Sequence, residues 1–151
     1  MEELGIGRPS TYAATIQTIG DRGYVTHRGQ YLVPTWLAFS VTRLLEENLA
    51  NLVDYDFTAS MEGDLDRIAA GEENGTEFLT GFFFGPDGTG ENGGLRHDVA
   101  SLGDDIDARA VNSIDLGRGV TLRVGRYGPY MEKADGTRAN VPPEVAPDEL
   151  T

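Results

Sequence analysis

Apolar and small residues at Tyr12, Ala13, Ile16 and Ile19 recur at spacings of three and four, which predicts one buried stripe on a helix over about Thr11 to Asp21. Ser10 is the expected N-cap, with Pro9 just outside it, and Gly20 and Gly23 supply stops. Tyr24-Val25-Thr26-His27 and Gln30-Tyr31-Leu32-Val33 then flank Arg28-Gly29, the pattern of a short β-hairpin turning on glycine. Helix followed at once by hairpin is the order found at the end of a winged-helix unit. From Trp36 the residues Leu37, Val41, Leu44, Leu45 and Leu49 give a second amphipathic helix, with Arg43, Glu46 and Glu47 outward, expected to pack on the wing. After a turn over Asn51 to Phe57, Thr58 reads as the cap of a helix with Met61, Leu65, Ile68 and Ala69 inward. A shorter helix over Glu73 to Phe84 ends in Phe82-Phe83-Phe84, a core plug or a contact with the next unit.

Five of the ten residues from Gly85 to Gly94 are glycine, the composition of a flexible connection, and the domain boundary is drawn there. Leu95 to Leu102 has room for a helical turn or two, and the acidic run Asp104-Asp105-Ile106-Asp107 follows. Beyond it the period changes from 3.6 to 2. Val120 to Val124 alternates as a strand and Gly125 to Pro129 turns. Tyr130 to Lys133 pairs back, Asp135-Gly136 is a hairpin signal, and Thr137 to Val141 is the third strand. Pro142-Pro143 ends that strand, and Pro147 to Leu150 opens a helix. The fold class is therefore α+β. A winged-helix-like helical unit spans residues 1–84, a glycine-rich and acidic linker spans 85–108, and a small antiparallel β-sheet repeat with a terminal helix spans 109–151.

Composition narrows the chemistry. The chain has 151 residues, 39% of them hydrophobic and none of them cysteine, which excludes disulfide scaffolds, thiolate metal sites and cysteine nucleophiles. Without a run of about eighteen apolar residues or a secretory leader, the expectation is a cytoplasmic chain with no membrane partner. The net charge of −13 argues against nucleic acid on its face. The average misleads, because residues 37–116 carry seventeen acidic and four basic groups whereas residues 117–151 carry five of each. Eleven of the twelve basic residues are arginine, whose planar fork holds phosphate and whose face stacks on bases.

Three Asp-x-Asp pairs, Asp54/Asp56, Asp64/Asp66 and Asp105/Asp107, have the form that can hold Mg²⁺, but none follows an apolar strand and chance supplies such pairs in so acidic a chain. Gly5-Ile6-Gly7-Arg8-Pro9-Ser10-Thr11 is more informative. Glycines let backbone N–H groups approach an anion, the start of a helix adds partial positive charge, and Arg8 is placed to grip a phosphate. The same pattern equally serves a plain helix start with a solvated arginine. Arg123, Arg126, Tyr127 and Tyr130 combine cations and aromatics on the small sheet, the ingredients for stacking unpaired bases and tracking their backbone; the two tyrosines equally suit a core.

The run Glu3-Leu4-Gly5-Ile6-Gly7-Arg8-Pro9-Ser10-Thr11-Tyr12-Ala13, then Asp21-Arg22-Gly23-Tyr24-Val25, then Asp54-Tyr55-Asp56-Phe57-Thr58-Ala59 with Met61-Glu62, together resemble the carboxyl-terminal part of the catalytic core of bacterial type IA DNA topoisomerases. That resemblance covers about residues 1–84. Arg123-Val124-Gly125-Arg126-Tyr127-Gly128-Pro129-Tyr130 is similar to the repeat these enzymes carry in their carboxyl-terminal domains, especially the cysteine-free kind of actinobacteria, and Pro147 to Thr151 fits its end. The resemblance implies a strand-passage enzyme that relaxes negatively supercoiled DNA without ATP, using Mg²⁺ and a tyrosine that becomes joined to a 5′ phosphate. The family's nucleophile stands in a Tyr-x-Arg-Thr context, which none of the six tyrosines here has, and the carboxylate metal site after a hydrophobic strand is absent too. The chain is accordingly expected to be a piece of such an enzyme, without catalytic or metal-binding residues of its own.

By the same resemblance Arg8, Ser10 and Thr11 line a single-strand groove, and Arg123, Arg126, Tyr127 and Tyr130 hold a second stretch of single-stranded DNA. Gly75-Thr76-Glu77 departs from the family, which commonly has an aromatic there. The alternative reading is a non-catalytic winged-helix DNA-binding regulator or protein-interaction module, with its first helix in a duplex major groove. The acidic middle segment also offers a docking face to a basic partner protein.

Overall fold

The computed structural model describes residues 1–102, 106–142 and 145–150. Expectations that fall on Asp104, Asp105, Pro143 and Thr151 lie outside the described residues. The chain divides into two compact units, one of Met1–Tyr12 with Leu45–Ile106, the other of Ala13–Leu44 with Asp107–Thr151. This division differs from the one that composition suggests at Gly85, because residues far apart in sequence share one core.

A 3-10 turn at Glu2–Leu4 in the first unit precedes α1, Pro9–Asp21, which passes into the second unit after Tyr12 and begins two residues earlier than the apolar spacing predicts. Proline suits the first helical position, since its fixed φ matches the helix and its missing N–H would have had no partner there. Ser10 consequently lies inside the helix and is not its cap. The helix from Trp36 to Asn48 is α2, which belongs to the second unit as far as Leu44, and the short α3, Ala50–Val53, follows it in the first, where the sequence predicts a plain turn. Helix α4, Tyr55–Ala70, also starts ahead of its predicted cap. Asp54 caps it by accepting the Phe57 N–H at 2.7 Å, while the Thr58 hydroxyl donates to the Asp54 carbonyl at 2.9 Å.

Helix α5, Gly75–Phe84, is capped by Asn74 and joins α4 through Phe57, Phe78 and Phe82, whose stacked rings lie 6.4 and 6.5 Å apart. The glycine-rich stretch after it is a tight closure and not a loose strap. Gly85 has φ 77° and ψ −179°, and a Cβ there would stand 2.7 Å from the Gly93 carbonyl carbon. Only glycine permits that backbone approach. The closure turns the chain into α6, Gly94–Leu102, which packs along α5.

In the second unit β1, Val25–Arg28, pairs antiparallel with β2, Tyr31–Pro34, on the predicted hairpin, and Gly29 takes φ 59° in the turn. After the single turn α7, Ala108–Val111, a four-stranded antiparallel sheet runs in the order β3 (Ser113–Asp115), β4 (Val120–Gly125), β5 (Gly128–Lys133), β6 (Arg138–Asn140). The edge strand β3 has a single apolar residue, Ile114, and so gave no alternation to read. Strand alternation puts Ile114, Leu122, Val124 and Met131 on one face, where they join Trp36 and Val141 in the core of this unit. Trp36, expected on the wing, packs into this sheet core, and Arg43 on the same helix donates to the Ser113 carbonyl at 2.8 Å. A 3-10 turn at Pro147–Glu149 supplies the terminal helical element.

Glu149 accepts a forked pair of bonds from the Arg28 guanidinium, Nη2 to Oε2 at 2.7 Å, and tethers that turn to the hairpin. The fork, with the Ala146 N–H, holds the Glu149 carboxyl down from 4.5 to about 2. A lowered folded-state pKa stabilises above the unfolded value and is lost as pH falls through the folded one. The stability difference between the native chain and Glu149→Gln is therefore expected to be full above about pH 5 and to vanish progressively between about pH 4.5 and 2, as read by thermal melts at each pH.

Candidate nucleic-acid interface

Two places hold the residues that the sequence singles out. At the first, Gly5 and Gly7 adopt φ 67° and 71°, folding the amino-terminal turn back on α4 so that a Cβ on Gly5 would meet Ala59 at 3.4 Å. Ala59, Glu62 and Asp66 share one face of α4. Arg8 lies over that face: its Nη2 donates to Asp66 Oδ2 at 2.5 Å and its Nη1 to the Gly7 carbonyl at 2.9 Å, with Glu62 at 3.7 Å. The Asp66 hydrogen bond raises the guanidinium pKa further above its ordinary value. Thr11 Oγ1 accepts the Arg8 N–H at 3.0 Å, and Ser10 is exposed. The turn and helix start thus stand together, but the charge of Arg8 is directed at two carboxylates of its own unit, a partnership between residues 58 apart that spacing could not reveal.

The second place is the sheet face opposite the core. The register sets Arg123 against Tyr130 and Tyr130 against Asn140, with Thr121, Glu132 and Arg138 in the next rank. Glu132 is the hub. It accepts from Arg123 Nε at 2.5 Å, from Arg138 Nε at 2.8 Å, and from Arg109 Nη2 at 3.4 Å. Hydrogen bonds from Arg123 first and Arg138 second hold its carboxyl below the usual range. Three guanidiniums around one carboxylate leave net positive charge, and the N–H donors that face outward are those of the exposed Arg109 and Arg138, Arg123 being mostly buried.

At one end of this face the turn Gly125 to Gly128 presents the aromatics. Tyr127 is 95% exposed with the Arg126 guanidinium 5.7 Å from its ring centre, and Arg138 lies 5.5 Å over Tyr130. A Cβ on Gly125 would come within 3.0 Å of the Tyr130 ring, so glycine is what lets that ring lie across the strand. A concavity of about 370 Å³ is lined by Arg126, Tyr127, Tyr130, Arg138 and Asn140. Three of the four residues singled out on the sheet, Arg126, Tyr127 and Tyr130, therefore converge on this concavity, whereas Arg123, across the ladder from Tyr130, is committed to Glu132 and Ser113 and lies outside it. Arg138, Arg109 and Asn140 escaped the sequence reading. The Asp135-Gly136 turn fixes the register that brings Arg138 opposite Glu132, and this was the available signal.

The carboxylate pairs have structural duties. Asp54 caps α4, Asp64 pairs with Arg67, Asp66 pairs with Arg8, and Asp107 caps α7. Among the described residues no three His, Cys, Asp or Glu side chains come together as metal ligands, so these carboxylates do not fit a Mg²⁺ site.

Comparison with known proteins bears on both places. The profile of the family described as DNA topoisomerase matches residues 1–80, and that of the topoisomerase C-terminal repeat matches residues 114–151. DNA topoisomerase 1 of Mycobacterium tuberculosis (strain ATCC 25618 / H37Rv) is 52% identical over 169 aligned positions, which cover 100% of this chain and 18% of that protein. The Streptomyces coelicolor DNA topoisomerase 1 is 51% identical over 170, again covering 100% and 18%. The solved full-length topoisomerase I of Thermotoga maritima superposes with a TM-score of 0.71 at 29% identity, over 97% of this chain and 24% of that one. The chain spans about a fifth of the length of these curated relatives. On the profile match to more than half of its residues, supported along its whole length by these relatives, the chain belongs to the DNA topoisomerase family.

Proposed function

We propose that this chain supplies contacts to single-stranded DNA within a type IA DNA topoisomerase that relaxes negatively supercoiled DNA by transient strand cleavage through a 5′-phosphotyrosine. The observation that carries the reading is Tyr127, 95% exposed beside Arg126, at the edge of a sheet face with three further arginines. A large aromatic held fully in water with a cation against it is a stacking platform, sequence-tolerant because every base has a π-face. Arg126, with the donors that Arg109 and Arg138 turn outward, holds the intervening phosphates, positioning the strand without reading it. Residues 109–151 form the DNA-binding repeat, and the turn at Arg8, Ser10 and Thr11 lines the path of the strand near the cleavage centre of the whole enzyme. There Arg8 exchanges part of its contact with Asp66 and Glu62 for a phosphate. Cleavage and Mg²⁺ belong to residues outside this chain, and the enzyme works in the cytoplasm. Among the described residues no helix is long and apolar enough to cross a membrane.

Fluorescence anisotropy of a labelled single strand against the full chain tests this. Binding is expected to favour single strand over duplex, to be indifferent to sequence, and to fall with log salt at about −0.7 per phosphate contact. Equal affinity for a duplex of the same length, or a salt slope near zero, overturns it.

A further inference from the structure

The sheet has a second end that neither the aromatic patch nor the sequence motifs account for. There the β3–β4 and β5–β6 turns flank an open cleft of about 660 Å³ lined by the cations Arg109, Arg118, Arg123 and Lys133 and the carboxylates Asp115 and Glu132. Among the described residues Arg109 and Arg123 pair with Glu132, whereas Arg118 and Lys133 are exposed without a salt bridge within 4.0 Å, Lys133 feeling the Asp135 carboxylate of the adjoining turn at longer range. Asp115 is committed locally, accepting the Gly117 N–H at 2.8 Å.

Arg118 is also the sole residue other than glycine with positive φ among the described residues, at 54°, between Gly117 at 78° and Gly119 at 73°. A turn of three successive left-handed residues tolerates glycine or asparagine most readily at its centre. An arginine kept there, pointing its charge over an open cationic cleft, is a local conflict of the kind that marks a binding site.

From these observations we infer that the cleft is a second phosphate-binding site for the same single strand, which crosses the sheet from Tyr127 to the Arg118 and Lys133 turns. The inference rests on the strand-binding reading above and adds a path to it. From Gly125 to Thr121 the strand β4 advances four residues, roughly 13 Å at ~3.3 Å per residue. That is about four nucleotides at the ~3.4 Å spacing of stacked bases. Between the two ends lie Arg123 and Arg138, ordered by Glu132, so phosphates meet guanidinium donors along the whole crossing.

The test compares the native chain with the double variant Arg118→Asn/Lys133→Gln, in which asparagine keeps the left-handed preference of the turn, and with Tyr127→Ala. The probe is a labelled oligothymidylate of about twelve nucleotides, enough to occupy both ends. The double variant is expected to lower the salt slope by about 1.4 and to weaken binding roughly tenfold at low salt. In ¹⁵N spectra of the native chain the strand is expected to shift the amides of residues 117–119 and 134–136 together with those of Tyr127 and Gly128. In the double variant only the latter move. If the Tyr127 amides move while the turn amides and the slope stay unchanged, the cleft is overturned and the aromatic platform stands. If neither set moves and Tyr127→Ala changes nothing, the strand-binding reading falls with it. Pyrophosphate that shifts the turn amides where chloride of matched ionic strength does not would make a free polyphosphate the ligand and overturn the strand path.

Discussion

Leu122→Ala is expected to lower the unfolding free energy by about 2–5 kcal/mol, the largest stability loss of any aliphatic truncation in this chain. Leu122 is fully buried, 0% exposed, and its neighbours across the sheet are Ile114 on β3 and Met131 on β5. Truncation removes the transfer energy of the buried methyl groups and leaves a void that Trp36 and Val141, themselves 7% and 3% exposed, cannot close without shifting two other elements. Urea denaturation measures it, and Trp36 is the sole tryptophan, so its fluorescence reports from this same cluster. Thr121→Ala, one residue away on the opposite face, serves as the contrast with a change within about 0.5 kcal/mol. A loss below 1 kcal/mol for Leu122→Ala would mean that the sheet and Trp36 do not share a core.

The second large effect is on binding. Tyr127→Ala is expected to reduce affinity for a single strand by about 1–3 kcal/mol, roughly fivefold to more than a hundredfold, while leaving the salt slope unchanged because no charge is removed. The residue is 95% exposed, so its loss costs the fold little, and the melting temperature is expected to hold. Tyr127→Phe keeps the ring and should restore nearly all of the affinity. The pair separates stacking from charge: an affinity loss that appears only with Arg126 variants would assign binding to the guanidiniums alone, with Tyr127 a bystander.

The strands were legible where alternation is physical cause as well as signal. Leu122 and Val124 had to face inward, which forces Thr121 and Arg123 outward, and Asp135-Gly136 fixes the register of the last pair. Helix starts were less legible because they are decided by one or two local bonds. Asp54, one position before the helix, accepts the Phe57 N–H, while Thr58, already inside it, donates its hydroxyl back to the Asp54 carbonyl. The partners of the arginines were least legible. Arg8 meets Asp66 across 58 residues and Arg28 meets Glu149 across 121, distances at which charge composition is informative but pairing is not. For the same reason Gly85 to Gly94 read as a strap. Its glycines serve a close backbone approach between Gly85 and Gly93, which composition alone cannot distinguish from freedom to move.

The core of the second unit joins Trp36 to Val141, positions about a hundred residues apart. On a ribosome adding about 5–20 residues per second, the indole emerges well ahead of its neighbours and waits roughly 5–20 s for them. Loop-closure entropy then delays their meeting further. During that interval Trp36 presents a sticky surface to whatever passes, so nascent chains of this sequence are predisposed to engage chaperones, and conditions that slow translation lengthen the exposure in proportion.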